Sequence, residues 1–147
     1  MYEDVLLAVD GSESNEPAVE RALDLAAATG ATLHVVHVVD RTTAVTAAAE
    51  GAERVLAALE AAGRDVVDAA VARAEQRDLS VEASVLSGAP HRAILDYAAD
   101  REVDVIVVGT HGRTGVERVV LGSVAERVVR RADVPVLVVP ATVADDD

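Results

Sequence analysis

The sequence predicts a single α/β domain with a doubly wound, mostly parallel five-stranded sheet. Two observations support this fold class. Short, almost continuously apolar runs alternate with segments of helical periodicity along the 147 residues, and this alternation is typical of parallel strands joined by helices through right-handed crossovers. The apolar runs are hardly interrupted, as expected for strands that are covered on both faces.

The first strand is predicted over residues 4–10, DVLLAVD. It leads into the turn signature DGS at 10–12. Ser14 or Asn15 is positioned to cap the helix that follows, because either side chain can accept a hydrogen bond from the free N–H groups of a first helical turn. Gly30 is the expected end of this helix.

The second strand is predicted over residues 32–40. The stretch 41–50 has no clear pattern, which leaves loop or frayed helix open. A long helix is then predicted over 52–77, with an apolar stripe formed by Val55, Leu59, Val66, Ala70 and Ala74. We expect Gly63 to be tolerated inside this helix at a cost of about 1 kcal/mol relative to Ala.

The remaining elements continue the alternation of strands and helices. They are a strand over 80–86, a helix opened by the residues SGAP at 87–90 and ending near 99, a strand over 103–109, a helix over 123–131 and a fifth strand over 134–140. We expect residues 1–141 to form the domain and the acidic end, 142–147, to be a solvated tail.

The charge of the chain excludes several classes of function. There are 26 Asp and Glu against 13 basic residues, all of them Arg, which gives a formal net charge of −13. Without lysine, neither a Walker-type phosphate loop nor Schiff-base chemistry is available. The negative charge also argues against nucleic acid or an anionic membrane as a partner, since both are bound through basic patches.

The composition indicates a cytoplasmic protein. No apolar run approaches the roughly 20 residues that cross a bilayer, the first residues, MYED, are acidic where a signal peptide is basic, and the absence of cysteine is compatible with a reducing compartment. The acidic, Ala- and Val-rich composition resembles that of proteins from salt-loving archaea, in which molar salt screens charge repulsion. The alternative is an ordinary acidic protein from a GC-rich genome.

The loop after the fourth predicted strand carries the main motif. Gly109 and Gly112 are separated by two residues, and after nine more residues Gly122 is followed by Ser123. Glycines at a strand end and in a turn let backbone N–H groups approach phosphate oxygens, and a helix that begins at Ser123 offers free N–H groups and a dipole that favour an anion. The alternative is that these glycines only form turns and a cap.

With this motif the chain resembles the universal stress protein family, and specifically its ATP-binding branch, whose signature is G-2x-G-9x-G-S/T. The resemblance covers almost the whole chain, through the stretches LLAVDGSE, LHVVHVVD, SGAPHRAILDYA, DVIVVGTHGRTG and LGSVAERVVRRADVPVLVV. It implies a flavodoxin- or Rossmann-like sheet with the strand order 3-2-1-4-5. Ligands of such sheets bind at the carboxyl ends of the strands, where the strand order reverses.

The resemblance also implies how a nucleotide is held. Gly109 and Gly112 would lie against the ribose and the phosphates, while Gly122, Ser123 and the amide of Val124 would hold the phosphate chain. Ala125 stands where some relatives carry Thr, so one hydroxyl contact to the phosphates is missing.

Residues outside the motif complete the expected site. Asp10 would accept a hydrogen bond from a ribose hydroxyl, or alternatively only cap the turn after it, and the backbone of Val38 would read the adenine edge. Since the chain has two tyrosines and no Phe or Trp, the adenine pocket should be aliphatic, formed by Ala8, Val9, Val38 and Val108. His111 is expected to shape the loop or face the ribose. Arg113 either contacts the phosphates or is exposed to solvent.

No catalytic residue is predicted, and no metal site is predicted from the four scattered histidines. Mg²⁺ would arrive with the nucleotide, held mainly by phosphates and water. The expected function is that of a stress-response regulatory protein whose bound ATP, ADP or AMP is sensed by an unknown protein partner. The resemblance further implies a homodimer, formed through the apolar fifth strand at the sheet edge.

Two alternative functions stay open at this point. One is a slow ATPase or phosphoryl-transfer enzyme, which would need a positioned nucleophile and more stabilising charge than the sequence offers. The other is a structural dimer that binds no nucleotide, against which the intact glycines count.

Overall fold

The structure, a computed structural model, describes residues 2–40, 51–110 and 121–141. Its strands are β1 (Asp4–Ala8), β2 (Thr32–Val39), β3 (Val81–Ser87), β4 (Val105–Gly109) and β5 (Val136–Val139). Its helices are α1 (Glu16–Thr29), α2 (Ala52–Gln76), α3 (Pro90–Asp100) and α4 (Ser123–Arg131), and a 3-10 turn at Glu13–Asn15 precedes α1.

The strands form one sheet in the order β3-β2-β1-β4-β5, and every neighbouring pair is parallel. The fold class and the strand order predicted from the sequence are therefore confirmed. The chain first builds outward from β1 to β3 and then crosses back to place β4 and β5 on the other side of β1. The strand order thus reverses beside β1, which is where such sheets bind ligands.

Two apolar layers enclose the sheet. The layer between the sheet and helices α1 and α2 includes Leu7, Leu23, Val35 and Val67. The layer between the sheet and helices α3 and α4 includes Leu6, Val36, Ile94 and Val128. Successive strand residues such as Leu6 and Leu7 belong to different layers because side chains alternate between the two faces of a strand.

The predicted helix and strand bounds are close to the observed ones, with the largest differences at strand ends. β1 ends at Ala8, two residues earlier than predicted, and β4 begins at Val105, two residues later. Gly30 ends α1 as predicted, in the left-handed conformation with φ 74°, which favours glycine because no Cβ clashes there. The helix over 123–131 has the predicted bounds.

Two local predictions about helices are only partly right. Asn15 is the N-cap residue of α1, but its side chain makes no capping hydrogen bond, because its Oδ1 accepts the N–H of Asp10 instead, at 3.3 Å. Leu59, expected in the buried stripe of α2, is 39% exposed. The buried stripe of α2 begins only at Gly63 and continues through Val67, Ala70 and Ala74, while the residues of its earlier turns are exposed or half-buried.

Some predictions concern residues that are not described. The stretch 41–50, the loop 111–120 and the tail 142–147 lie outside the described residues. In the part of the chain that the structure describes, none of the helices has the length and hydropathy needed to span a bilayer.

Candidate functional site

β1 is shorter than both of its neighbours at the carboxyl edge of the sheet. Its pairing with β2 ends at Val36, whereas β2 continues beside β3 as far as Val39. Its pairing with β4 ends at Val107, whereas β4 continues beside β5 as far as Gly109. A gap therefore lies above the end of β1, between the ends of β2 and β4.

The backbone groups of Val38 and Gly109 face this gap. Alternate residues of a parallel strand direct their N–H and C=O groups toward opposite neighbours. The carbonyl of Val36 accepts the N–H of Val9 on the β1 side, so Val38 directs its groups to that side as well. The N–H of Thr110 donates on the β5 side, so Gly109 directs its groups toward β1. No described strand lies opposite either residue there.

The gap opens into a cleft of about 210 Å³. All nine predicted site residues that lie within the described ranges line it: Ala8, Val9, Asp10, Val38, Val108, Gly109, Gly122, Ser123 and Val124. The three others, His111, Gly112 and Arg113, lie outside the described residues. The cleft is also lined by Asn15, His37, Pro90, Ile94, Thr110 and Ala125.

One wall of the cleft is aliphatic. Val108 and Ile94 are almost fully buried behind it, while Ala8 and Val38 are half-buried and open to the cleft. Apolar walls with a few polar groups at fixed positions are typical of small-molecule sites. This wall is compatible with the flat face of a heterocyclic base, and the backbone groups of Val38 lie at its edge.

Asp10 follows β1 and closes the turn beyond it. Its Oδ1 accepts hydrogen bonds from the N–H of Ser12 at 2.9 Å and from the Ser12 hydroxyl at 2.7 Å. Gly11 between them has φ 81°, a conformation that favours glycine. The carboxylate therefore caps this turn. Both bonds use Oδ1, and no described residue donates to Oδ2, which leaves that oxygen for a ligand hydroxyl.

The first turn of α4 lies at the cleft. Gly122 is the N-cap of this helix, and its N–H donates to the carbonyl of Thr110, so this amide is already occupied. The N–H groups of Ser123 and Val124 belong to the first helical turn and have no carbonyl of the helix to bond. These two amides and the positive end of the helix dipole favour an anion at this point.

Three polar residues of the cleft, Asn15, His37 and Thr110, were missed by the sequence analysis. Asn15 is 5% exposed, and its position before α1 favours a helix cap, which hides its place in the cleft wall. His37 points over the end of β1, where its Nδ1 donates to the carbonyl of Val9 at 2.9 Å. A carbonyl only accepts, so Nδ1 carries a proton. The strand pattern around His37 gives no signal of this contact, because the periodicity of a strand does not show what its side chains bond to.

The buried His34 lies at the opposite, amino edge of the sheet. Its Nδ1 is 2.9 Å from the hydroxyl of Tyr97, and its Nε2 is 2.9 Å from Oδ1 of Asp4. Burial raises the pKa of Tyr97 above its usual value. Both ring nitrogens of His34 are thus engaged in packing β1 and β2 against α3. Across the described ranges, no cluster of His, Asp and Glu has the arrangement needed to hold a metal ion.

Comparison with known families agrees with this architecture. The model of the universal stress protein family matches residues 1–140. The chain belongs to the universal stress protein family. A curated universal stress protein of Methanocaldococcus jannaschii is 35% identical to it over 140 residues, which cover 95% of this chain and 82% of the relative.

Solved structures of universal stress proteins have the same fold. That of a second Methanocaldococcus jannaschii protein has a TM-score of 0.88 and 27% identity, and the match covers 98% of this chain and 99% of the other. A universal stress protein crystallised in complex with cAMP has a TM-score of 0.64 and 29% identity, with 96% and 98% covered. The likeness therefore extends over nearly the whole length of each protein.

Proposed function

We propose that this universal stress protein binds an adenine nucleotide, ATP in the first instance, in the cleft above the end of β1. The proposal rests on the position of the predicted site residues in the fold. Nine residues from four separate stretches of the sequence, each expected from the sequence analysis to contact a nucleotide, line one cleft. The strand order alone brings the ends of β1, β2 and β4 together, and the first turn of α4, with the amides of Ser123 and Val124, adds an anion-binding element to the same cleft.

Each part of the nucleotide has a chemically suitable partner in the cleft. The base would lie on the aliphatic wall, with its hydrogen-bonding edge toward the backbone of Val38. The ribose would donate a hydroxyl to Oδ2 of Asp10. The phosphates would lie at the amides of Ser123 and Val124, where the helix terminus favours negative charge. Mg²⁺ would be held mainly by the phosphates and water.

The comparisons support an adenine nucleotide over other anions. A universal stress protein with 29% identity has been crystallised in complex with cAMP. Its ligand combines the three chemical parts that the cleft here can accommodate: a base, a ribose and a phosphate. We also propose that a protein partner detects whether ATP, ADP or AMP is bound in the cleft, and that this is how the protein acts in a stress response.

We also propose that the protein is a homodimer that pairs through β5. This strand is at one edge of the sheet, and Leu137 in its centre is 40% exposed. An apolar edge strand with free backbone groups invites pairing with another strand. A second copy of the same strand would satisfy these groups in a closed two-fold assembly.

Two measurements test nucleotide binding directly. Mass analysis of the small molecules released from gently purified protein should identify an adenine nucleotide. Calorimetric titration in molar KCl with Mg²⁺ should show binding of ATP and markedly weaker binding of GTP. Ser123→Ala keeps the backbone amide and removes the hydroxyl, a further donor to phosphate at the start of α4, so it should weaken ATP binding about five- to tenfold, since one hydrogen bond contributes about 1 kcal/mol. The control is Ser80→Ala, an exposed serine beside β3 at the opposite edge.

If the folded parent protein binds neither ATP, ADP nor AMP at millimolar concentration, and none is released from it, the cleft is not a nucleotide site. If ATP and GTP bind with equal affinity, the backbone of Val38 does not distinguish adenine from guanine, and that part of the proposal is wrong.

A further inference from the structure

Asn15 is a buried polar side chain that makes a single hydrogen bond to the residues that the structure describes. It is 5% exposed and lines the cleft. Its side-chain oxygen accepts the N–H of Asp10 at 3.3 Å. Within the described residues, its side-chain nitrogen Nδ2 donates to no acceptor. A buried donor without a partner is costly, typically about 1–3 kcal/mol, and such groups call for an explanation.

The orientation of the Asn15 amide follows from its one partner. The N–H of Asp10 can only donate, so the atom that faces it must be the oxygen Oδ1. The nitrogen Nδ2 therefore occupies the other branch of the amide. Asn15 also borders a second cleft between α1 and α2, but Asp10 does not line that one. The bond thus joins the oxygen end of the amide to the backbone of Asp10, a residue that lines the nucleotide cleft together with Asn15.

We infer that Nδ2 of Asn15 donates a hydrogen bond to a ribose oxygen of the nucleotide bound in this cleft. The inference rests on the proposed function and extends it to a residue outside the glycine motif. Asp10 supplies an acceptor, Oδ2, and Asn15, bonded to the backbone of Asp10, supplies a donor. Since each ribose hydroxyl both donates and accepts, this pair matches the sugar better than either residue alone.

The composition of the chain makes the contact directly observable. Asn15 is the single asparagine of the sequence, and Gln76 is the single glutamine. A nitrogen–proton correlation NMR spectrum therefore contains only two side-chain carboxamides. Gln76 is exposed at the end of α2, which runs away from the cleft toward the amino end of β3, and it is an internal control. Each carboxamide gives a pair of proton signals, and Asn15→Ala assigns the two pairs by removing one of them.

The spectrum is recorded for the full chain in molar KCl with Mg²⁺, first alone, then with ATP and then with adenosine. We expect one Nδ2 proton of Asn15 to move downfield and to exchange more slowly with water when either ligand saturates the protein. The Gln76 signals should stay in place. In parallel, Asn15→Ala should bind ATP about five- to tenfold more weakly, provided that its circular dichroism spectrum is unchanged.

The outcomes separate this inference from the proposed function. If backbone signals around the cleft shift with ATP while the Asn15 carboxamide does not, the protein binds nucleotide and the inference about Asn15 is wrong. A change with ATP but not with saturating adenosine would overturn the assignment to the ribose. If no signal responds to ATP at all, the proposed function itself fails.

Discussion

Gly63 of α2 leaves the room that the imidazole ring of His37 occupies. A β-carbon at position 63 would lie 2.6 Å from the ring Cδ2 and 3.3 Å from Nε2. The ring is not free to move aside, because its Nδ1 is bonded to the carbonyl of Val9. The expectation that Gly63 is merely tolerated in the helix is therefore wrong. The absence of a side chain at Gly63 allows α2 to pack closely on β2, the strand whose residues His37 and Val38 line the cleft.

Gly63→Ala should therefore destabilise the protein, although Ala is favoured over Gly in a helix by about 1 kcal/mol. Overpacking of a tight contact costs about 1–3 kcal/mol, so we expect a net loss of about 1 kcal/mol in the free energy of unfolding. Denaturant unfolding followed by circular dichroism in molar KCl measures this change.

The same substitution made in a His37→Ala background provides the control. Without the imidazole ring there is space for the methyl group, so Gly63→Ala should now stabilise the protein through helix propensity. The sign of the effect should thus reverse between the two backgrounds, as a double-mutant cycle detects. If Gly63→Ala changes the free energy of unfolding equally in both backgrounds, the imidazole ring of His37 is not the reason why glycine is needed at position 63.

Much of the fold could be predicted because it depends on local patterns. The apolar runs that became β1, β2 and β4 are buried on both faces, and Gly30 has the positive φ that its position at a helix end predicts. The glycine motif and the aliphatic residues could be assigned to one site because the strand order brings the ends of β1, β2 and β4 together.

The contacts that could not be predicted join residues far apart in sequence. His37 meets Gly63 only after α2 has packed on the sheet, and nothing in the helical periodicity distinguishes this glycine from a neutral one. Asparagine before a helix is typical of a cap residue, and only the geometry of the turn shows that Oδ1 of Asn15 accepts the N–H of Asp10 instead. Contacts of this kind depend on distances within the folded chain.

The carboxylate of Asp104 should make the free energy of unfolding depend on pH in the acid range. Its Oδ2 accepts the N–H groups of Glu3 at 2.7 Å and of Asp4 at 2.9 Å, and these bonds lower the pKa of the carboxyl below its usual value of 3.8. Because the folded-state pKa is the lower one, the stabilisation is present at neutral pH and is lost as the pH falls through the folded-state pKa. Asp104→Ala should cost about 1 kcal/mol at pH 7.

The difference between parent and variant should shrink between about pH 5 and pH 2 as the carboxyl becomes protonated. Denaturant unfolding at a series of pH values measures it. Asp133→Ala is the matched control, because this exposed aspartate has no hydrogen-bond partner among the described residues. A difference that stays constant down to pH 2 would show that the charge of Asp104 is not what stabilises β1.

The proposed dimer interface can be tested at Leu137. Leu137→Asp places a charge in the centre of β5, which should prevent the pairing of two edge strands. Light scattering at micromolar concentration in molar KCl should give a dimer mass for the parent and a monomer mass for the variant. Leu59→Asp is the control, since Leu59 is 39% exposed, like Leu137 at 40%, but lies on α2. A monomeric parent would rule out the dimer.

The charge of the chain predicts a requirement for salt. Arg73 and Arg77 form ion pairs between α2 and α1, but 26 acidic residues against 13 arginines leave a large excess of negative charge. At about 1 M salt the Debye length is only about 3 Å, so repulsion is screened. We expect the thermal midpoint to fall steeply between molar and about 0.1 M KCl. An unchanged midpoint would contradict the salt-loving origin that the composition predicts.

The two roles considered for Asp10 can be separated by two substitutions. Asp10→Asn retains an oxygen that can accept both bonds from Ser12, so the turn should persist and the thermal midpoint should change little. At the other branch it replaces the accepting Oδ2 with an amide group that can only donate. ATP binding should therefore weaken about tenfold or more, because a hydrogen bond to a charged group contributes about 1.5–3 kcal/mol.

Ser12→Ala makes the complementary change. It removes the hydroxyl bond to Oδ1 and leaves the carboxylate of Asp10 in place, so the thermal midpoint should fall by a few degrees while ATP binding changes less than in Asp10→Asn. Calorimetric titration with ATP and thermal unfolding, both in molar KCl with Mg²⁺, give the two quantities for each variant. If Asp10→Asn binds ATP as tightly as the parent, Asp10 serves the turn alone, and the ribose must be held by other groups of the cleft.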